Sequence, residues 1–310
     1  QFACPELRAD REIAIAAAAR DWHSIHHVTE ELRHDRAVIL KAVEQDGWCL
    51  KCVPIEFQSD PTIALTAISG CANALGFVSQ ELLGDAAFVR EAVSLNSWAL
   101  RHASLAHRAD AGIVLTAARR ERMVLGFAAP ELWSSAGFVE AVMAEHGQHG
   151  LIRVSPELWS QRDFVMRVLR RHGPALEFVS PDLQADLELV LEAVLQDAAA
   201  LAFAAPELRA NRGLVLAAAQ RGGFAALSAA APALREDRQV VMEAVRQSGR
   251  ALALAAKKLR ADRDIVLEAV AQDGRALASA AEELCSDREI VLVAARSDWR
   301  ALRRASDVFR

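Results

Sequence analysis

The sequence contains no tyrosine, and aromatic residues make up only 5% of its 310 positions. It has four lysines, and its 36 Lys and Arg residues are outnumbered by 41 Asp and Glu residues, which gives a net charge of −5. Sequence-independent binding to DNA or RNA needs a basic face that displaces counterions from phosphates. The charge therefore argues against that class of function.

Long hydrophobic runs are also missing, since no stretch approaches the roughly 18 apolar residues of a membrane-spanning helix. The five cysteines show no spacing typical of a disulfide framework. We therefore expect an intracellular protein in a reducing compartment, without distinguishing the cytoplasm from an organelle interior. The chain opens on Gln1 within a repeat, so we expect either a removed targeting segment or a part of something longer.

Motifs of common enzymes are absent as well. There is no Gly-rich phosphate loop after a strand, no Gly-x-Ser-x-Gly and no His-Glu-x-x-His. Cys49 and Cys52 follow Trp48 in a pattern that resembles the redox motif Trp-Cys-x-x-Cys, but that motif works beside a βαβ sheet, and no strand pattern is present. We expect no catalytic activity and no cofactor.

Histidine is confined to the first part of the chain, at or before His172. A zinc site with Cys49 and Cys52 would need a second pair of ligands. The residues one repeat earlier lack a paired spacing, and we interpret them as a surface cluster: His23, His26, His27 and His34. Three others lie near turns of adjacent repeats, where polar turn residues are the simpler interpretation and a ligand site or proton relay the alternative: His146, His149 and His172.

What the sequence does contain is one phrase, Leu-Arg-Ala-Asp-Arg, repeated along the whole chain. Its leucine register falls at positions 7, 32, 57, 82, 107, 132, 158, 183, 208, 234, 259 and 284, spaced by 25 residues nine times and by 26 twice. A strict period in this range is typical of a stacked repeat array in which each copy contacts its neighbours. We predict a single continuous array over residues 1–310, with both ends cut within a repeat.

One copy, from Leu259 to Glu283, shows the physical unit. Ile265, Val266, Ala269 and Val270 recur at helical spacing and predict a first helix, helix A. Gly274 is expected to end it in the left-handed conformation, and a helix B of about eight residues follows. The fold class is therefore all-α, a solenoid of about twelve 25-residue helix–turn–helix repeats.

The aspartate of the phrase stands directly before helix A, where its carboxylate can accept from the first-turn amides and meet the positive end of the helix dipole. So many copies indicate a structural cap and not a set of catalytic acids. The predicted caps are Asp10, Asp35, Asp60, Asp85, Asp110, Asp186, Asn211, Asp237, Asp262 and Asp287.

The largest departures from the pattern suggest a partner contact. Trp133 and Trp159 replace the arginine of the phrase in adjacent copies, and because arginine there implies exposure, we expect an exposed aromatic pair. Local arginine clusters are solvated faces or an acidic-ligand patch: Arg119, Arg120 and Arg122, and Arg170 and Arg171. The other tryptophans lie just past helix A, where we expect them to cover the core between the helices: Trp22, Trp48, Trp98 and Trp299.

The unit Pro-Glu-Leu-Arg-Ala-Asp-Arg-Glu-Ile-Val-Leu-Glu-Ala-Val, followed by Gln-Asp-Gly-Arg-Ala-Leu, resembles the tandem repeat of the family called domain of unknown function 4116. The likeness is clearest over Leu208–Asn211, Leu234–Gly249 and Leu259–Leu277, and it extends along nearly the whole chain. It departs most over 107–182, where His107, Ser135 and Gln161 replace the usual Leu or Asp. The resemblance implies an α-helical repeat and no particular activity.

Together these features predict a non-enzymatic scaffold, a protein-interaction subunit that is an accessory component of a larger assembly, with an organelle as one setting. Its partners would be other proteins that contact the ends or the 107–182 region. The alternative is a helical-repeat binder of single-stranded RNA, which would vary polar residues at fixed positions and carry a continuous basic groove. The negative charge favours the first hypothesis.

Overall fold

The computed structural model describes residues 4–303, apart from the side chains of Gln148 and His149, so the prediction for His149 lies outside the described residues. Every regular element in this range is a helix, and the helices repeat with the period of the sequence. The predicted all-α repeat solenoid is confirmed. The chain divides into two compact units after Gly150, and each unit is built from copies of the same three-helix repeat.

Helix A is an α-helix of 8 to 11 residues. In the first unit it occupies Arg11–Ala18, Arg36–Gln45, Pro61–Gly70, Ala86–Leu95, Ala111–Ala118 and Ala136–His146. In the second unit it occupies Arg162–Leu169, Leu187–Gln196, Arg212–Arg221, Arg238–Gln247, Arg263–Gln272 and Arg288–Ser297.

Helix B is shorter than predicted and is a 3-10 helix in all but one copy. It covers Trp22–His26, Gly47–Cys52, Ala72–Phe77, Ser97–His102, Arg122–Phe127, Gly147–Arg153, Gly173–Phe178, Ala198–Phe203, Gly249–Leu254, Gly274–Ser279 and Trp299–Ala301. The exception is the α-helix Gly223–Ala229. It belongs to one of the two 26-residue intervals, whose extra residue lengthens this element.

A third element, the turn helix, follows helix B and contains the leucine of the phrase. Nine copies are single α-helical turns: Pro5–Arg8, Glu30–Arg33, Ile55–Gln58, Gln80–Gly84, Leu105–Arg108, Pro181–Gln184, Pro206–Arg209, Lys257–Arg260 and Glu282–Cys285. Three are 3-10 helices: Pro130–Ser134, Leu158–Ser160 and Pro232–Glu236. Sequence reasoning merged this element with the end of helix B, because so short a helix has no periodicity of its own.

The core lies between successive A helices and the B helices beside them. In Arg36–Gln45 the residues Val38, Ile39, Ala42 and Val43 are buried, which is the helical spacing that predicted this face. The alanine recurs fully buried as Ala67, Ala92 and Ala117 in the next copies. A small side chain at this position lets helices from neighbouring copies approach closely.

The glycines near the end of helix A do not act as the sequence predicts. Among the described residues only Gly147 has a positive φ, 63°. Gly47, Gly249 and Gly274 instead begin helix B, and a Cβ on any of them would lie under 3.0 Å from the backbone of the next copy's helix A. These glycines permit a close approach between copies, so the prediction of left-handed caps is wrong for them.

A second cap position, at the start of helix B, was not predicted from the sequence. Helix A ends at a residue in extended conformation, such as Asp273, whose carboxylate accepts from Arg275 N at 3.0 Å and so starts helix B. The other side chains that cap helix B in this way are Asp21, Asp46, Asn96, Glu121, Asp197 and Asp298. Seven described B helices therefore begin with a side-chain cap of their own.

Candidate functional site

The aspartate of the repeated phrase links two copies through one carboxylate. Asp262 Oδ1 accepts from Asp264 N at 3.1 Å and from Ile265 N at 3.2 Å, which caps its own helix A. Asp262 Oδ2 accepts from Arg238 Nε, which lies one copy earlier, at 2.8 Å. The arginine that follows the aspartate in one copy therefore pairs with the cap aspartate of the next copy.

The same linkage recurs through both units at distances of 2.6 to 3.3 Å. Its members are Arg11–Asp35, Arg36–Asp60, Arg162–Asp186, Arg212–Asp237, Arg238–Asp262 and Arg263–Asp287. All ten predicted cap side chains accept from first-turn amides of helix A, including Asp10, Asp85, Asp110 and Asn211. Ser135 and Gln161, which replace the aspartate, accept from none.

The hydrogen bond from Arg238 holds the pKa of Asp262 below its usual value of 3.8, with the backbone amides acting in the same direction. A carboxylate with a lowered pKa in the folded state stabilises the fold fully above the unfolded-state value, and this contribution is lost as the pH falls through the lowered pKa. The linkage is thus complete at neutral pH and weakens below about pH 3.8.

Replacing Asp262 separates its two roles. D262A loses the cap and the ion pair and should lower the free energy of unfolding by about 1–2 kcal/mol at pH 7, whereas D262N keeps a capping oxygen and should lose less than about 1 kcal/mol. The deficit of D262N should shrink below pH 3.8, where the wild-type carboxylate also becomes neutral. Urea unfolding at pH 7 and pH 3 measures both effects, and equal losses for D262A and D262N at pH 7 would contradict this division of roles.

The arginine that precedes the alanine of the phrase is half-buried in most copies, although Arg33 is exposed. Arg235 Nη2 donates to the Ser228 carbonyl at 2.9 Å, and Arg33 Nη2 donates to the His26 carbonyl at 2.9 Å, so each side chain lies across the end of its own helix B. Gln58 and Gln184 donate to helix-B carbonyls from the same register. Gln58, Gln184 and Arg235 are half-buried, and an arginine can be so because its aliphatic stem packs while its polar head reaches out.

For this reason the exposure expected of Trp133 and Trp159 is wrong. Each is only 4% exposed, and the Trp133 ring meets Phe138 edge-on at 5.3 Å. Trp159 contacts Phe164 at 5.6 Å and stacks on Phe178 at 5.8 Å. Both side chains fill the space that arginine or glutamine covers elsewhere, and neither offers a surface to a partner.

His107, which replaces the leucine of the phrase, is another departure explained by packing. It is buried, and its Nε2 lies 2.7 Å from the Leu83 carbonyl oxygen of the preceding copy. Elsewhere this carbonyl register accepts a backbone N–H from the next copy, as in Ala256 N to Arg235 O. The imidazole supplies that contact here.

Exposed aromatic residues lie instead on helix B of the first unit. Trp48 is 45% exposed, Trp98 is 46% exposed and Met123 is 63% exposed, all at the second residue of a helix B. Trp48 contacts Phe77 of the next copy at 5.5 Å, and Trp98 contacts Phe127 of the next copy at 6.1 Å. These five residues form what we call the helix-B face. The expectation that Trp48 and Trp98 cover the interhelix core is wrong.

A polar pair joins the two halves of this face. His102 Nε2 lies 2.7 Å from Asn73 Oδ1, and these residues belong to the helices that carry Trp98 and Phe77. Burial lowers the pKa of His102, and the nearby Arg101 charge lowers it further. The imidazole is therefore mainly neutral at pH 7, so it adds no charge between Trp98 and Phe77.

The remaining tryptophans, Trp22 and Trp299, begin a helix B at the register of the close-approach glycines. Trp22 is half-buried and stacks on His23 at 3.8 Å. Trp299 is 61% exposed, with the Arg300 guanidinium 5.5 Å from its ring. Neither covers the interhelix core as expected.

In the second unit, the same position of helix B is arginine in three copies: Arg250, Arg275 and Arg300. Arg250 lies over the Phe224 ring at 5.3 Å, and Arg275 Nε donates to Asp298 at 2.7 Å. Phe224, at the same position of its copy, is 39% exposed. Large apolar residues at this position are thus more frequent in the first unit, which has Trp48, Trp98 and Met123.

Most of the predicted arginine clusters are engaged within the protein. Arg119 pairs with Glu145 at 3.0 Å and Arg170 with Glu192 at 3.9 Å, while Arg120 donates to the carbonyls of Ser94 and Leu95. Arg122 and Arg171 are exposed, and neither has a side-chain hydrogen bond or ion pair with the described residues. Arg122 directly precedes Met123, beside the helix-B face.

His26, His34 and Cys52 line one cleft, but within the part of the chain that the structure describes no three His, Cys, Asp or Glu side chains form a group suited to a metal ion. Cys49 is fully buried, and burial raises its pKa to about 12. Cys52 is exposed. A thiol with this pKa is protonated at neutral pH, unlike the reactive thiolate of redox motifs.

Comparison with known families finds the profile of the domain of unknown function DUF4116 over residues 35–83, 161–209, 211–260 and 262–310. The chain belongs to this family. Each match starts at or next to a helix-A cap position and spans two of the 25-residue copies, so the family unit is a pair of copies. The unmatched interval from 84 to 160 holds the copies with His107 and Ser135. No curated protein and no solved structure matches the chain.

Proposed function

We propose that this DUF4116 protein is a non-enzymatic scaffold that binds another protein through the helix-B face of its first unit. The observation that carries the proposal is the exposure of Trp48, Trp98 and Met123 at one register of helix B, where Trp48 and Trp98 each contact an aromatic ring of the next copy. Large aromatic side chains and methionine are enriched at protein interfaces. The adjacent Arg122 would add a cation at the edge of the contact.

Single-stranded RNA is the second candidate, since exposed rings at one register can stack on bases. The charges around the exposed rings favour a protein partner over RNA. Asp46 accepts from Trp48 N at 2.9 Å and Glu121 accepts from Met123 N at 3.2 Å, so a carboxylate stands two residues before two of the three apolar side chains. Such carboxylates repel the phosphates of a bound strand.

The proposed setting is an accessory role within a larger assembly in a reducing compartment. All five cysteines are free thiols, which supports the choice of compartment. Both hypotheses place function in a surface and not in a reacting group, consistent with the protonated Cys49 and the neutral His102.

The W48R/W98R variant tests the proposal. Both side chains are about half exposed and each contacts one ring, so we expect the free energy of unfolding to fall by less than about 1.5 kcal/mol per site. Binding of the partner should fall at least tenfold. The measurement is affinity capture on the full chain, with the captured partner then purified and titrated against each variant, and a photo-crosslinker at position 48 to locate the contact.

The matched control is F224R/W299R, which adds two positive charges at exposed helix-B aromatics of the second unit. It should bind the partner as the wild type does. Equal affinity of W48R/W98R and F224R/W299R for the partner would rule out the helix-B face as the site. Salt-dependent retention of a single-stranded oligonucleotide that W48R/W98R abolishes would favour RNA instead.

A further inference from the structure

Two registers of the repeat hold arginine, and they differ in their ion pairs. Where arginine follows a helix-A cap, it pairs with the aspartate of the next copy in six cases, as Arg212 does with Asp237 at 2.7 Å. At the other register, directly after the leucine register of the phrase, the Nε is buried without a hydrogen-bond partner in Arg108, Arg209, Arg235 and Arg260. Arg209 is half-buried, and its side chain forms no ion pair with the described residues. A partly desolvated cation without a counter-charge is costly unless an anion completes it.

Arg209 lines a cleft of about 320 Å³ together with Arg235 of the next copy. The two copies are joined by the hydrogen bond from Ala231 N to the Arg209 carbonyl at 2.9 Å. Arg235 uses its Nη2 on the carbonyls of Ser228 and Ala230, at 2.9 and 3.4 Å, and this holds the guanidinium in place. Its Nε is also buried without a partner.

The rest of the cleft wall is neutral. It consists of Pro206, Pro232, Ser228 and the three alanines 229–231, with no carboxylate among them. Two guanidinium groups therefore face a cleft that contains no anion of the chain itself. Arginine clusters of this kind recognise phosphate groups, since a phosphate offers three terminal oxygens to several N–H donors at once.

We propose that the cleft between Arg209 and Arg235 binds a phosphate group. The two arginines supply its counter-charge and donors, and the neutral wall leaves room for the molecule that carries the phosphate. This site lies in the second unit and is separate from the helix-B face, so it does not depend on the proposed function. Free inorganic phosphate and a phosphorylated side chain of another protein are the two sources of such a group.

The test uses the full chain labelled with ¹⁵N, with inorganic phosphate titrated at constant ionic strength while the Nε–H signals of arginine are followed. We expect a saturable shift of the Arg209 and Arg235 signals, which R209Q and R235Q assign by their absence. R209Q should weaken phosphate binding at least tenfold. The matched control R221Q removes the same charge from an exposed residue of the same copy and should bind as the wild type does.

Two further probes set the ligand class. The first probe is a peptide whose only charged side chain is one phosphoserine. If it binds more tightly than inorganic phosphate, the site is supported and assigned to a phosphorylated partner. Tighter binding of inorganic phosphate would support the site and assign it to the free ion. Acetate binding as tightly as phosphate would overturn the phosphate assignment. The absence of a saturable shift, or the same affinity in R209Q, would overturn the site.

Discussion

The substitution G223A is expected to destabilise the second unit by about 3 kcal/mol, because the added methyl group would overlap the backbone of the next copy. A Cβ built on Gly223 would lie 2.6 Å from the carbonyl carbon and 2.8 Å from the Cα of Ala244, which belongs to helix A of the next copy. These atoms cannot move without separating the two copies. Thermal and urea unfolding of the full chain measure the loss.

The control for this prediction is G213A in the same copy. Gly213 lies within the helix Arg212–Arg221, and a Cβ there would meet only the Asn211 Oδ1 atom, at an ordinary 3.5 Å. Alanine stabilises a helix relative to glycine by roughly 0.5–1 kcal/mol, so G213A should be neutral or slightly stabilising. If G223A were tolerated as well as G213A, close backbone contact would not be the reason for glycine at the start of helix B.

The second large effect is expected from W159A, which should lower the free energy of unfolding by about 3–5 kcal/mol, as deletion of a buried aromatic side chain does. Trp159 is 4% exposed and lies between Phe164 and Phe178, so alanine would leave a cavity that neither ring can fill. Equilibrium unfolding followed by circular dichroism gives the difference directly.

W98A is the comparison, because Trp98 is 46% exposed and contacts a single ring, Phe127. We expect a loss of less than about 1.5 kcal/mol for W98A, from the ring contact and the partial burial. If W98A destabilised the protein more than W159A, then Trp98 and not Trp159 would be the core residue, contrary to their exposures.

Helix A and its start could be predicted from the sequence, because two independent signals coincide there. The apolar residues of Arg263–Gln272 follow the helical period, and Asp262 directly precedes them with a side chain suited to capping. The family could be predicted for the same reason, since the signals recur in register. Helix B could be located but not assigned as a 3-10 helix, because six residues are too few to show a period.

The candidate site could not be predicted, because exposure was inferred from residue type. Arginine at the register of Trp133 suggested solvent, yet Arg235 at this register lies across the end of helix B and is half-buried. Trp98 follows the buried Ser97, and its position just after helix A suggested the core. Asn96 could have indicated the exposure of Trp98. Asn96 caps helix B two residues before Trp98, which makes Trp98 the second residue of that helix, and this residue points outward.

The Asp–Arg pairs that link neighbouring copies have a consequence for how such proteins change length. Arg212 reaches Asp237, Arg238 reaches Asp262 and Arg263 reaches Asp287, so each of these three boundaries has the same donor on one side and the same acceptor on the other. Loss of residues 238–262 would bring Arg263 directly after Asp237 and leave both remaining partnerships with their original members. Within this stretch the gene can therefore gain or lose a whole copy by recombination, and the new boundary carries the same ion pair as the old ones.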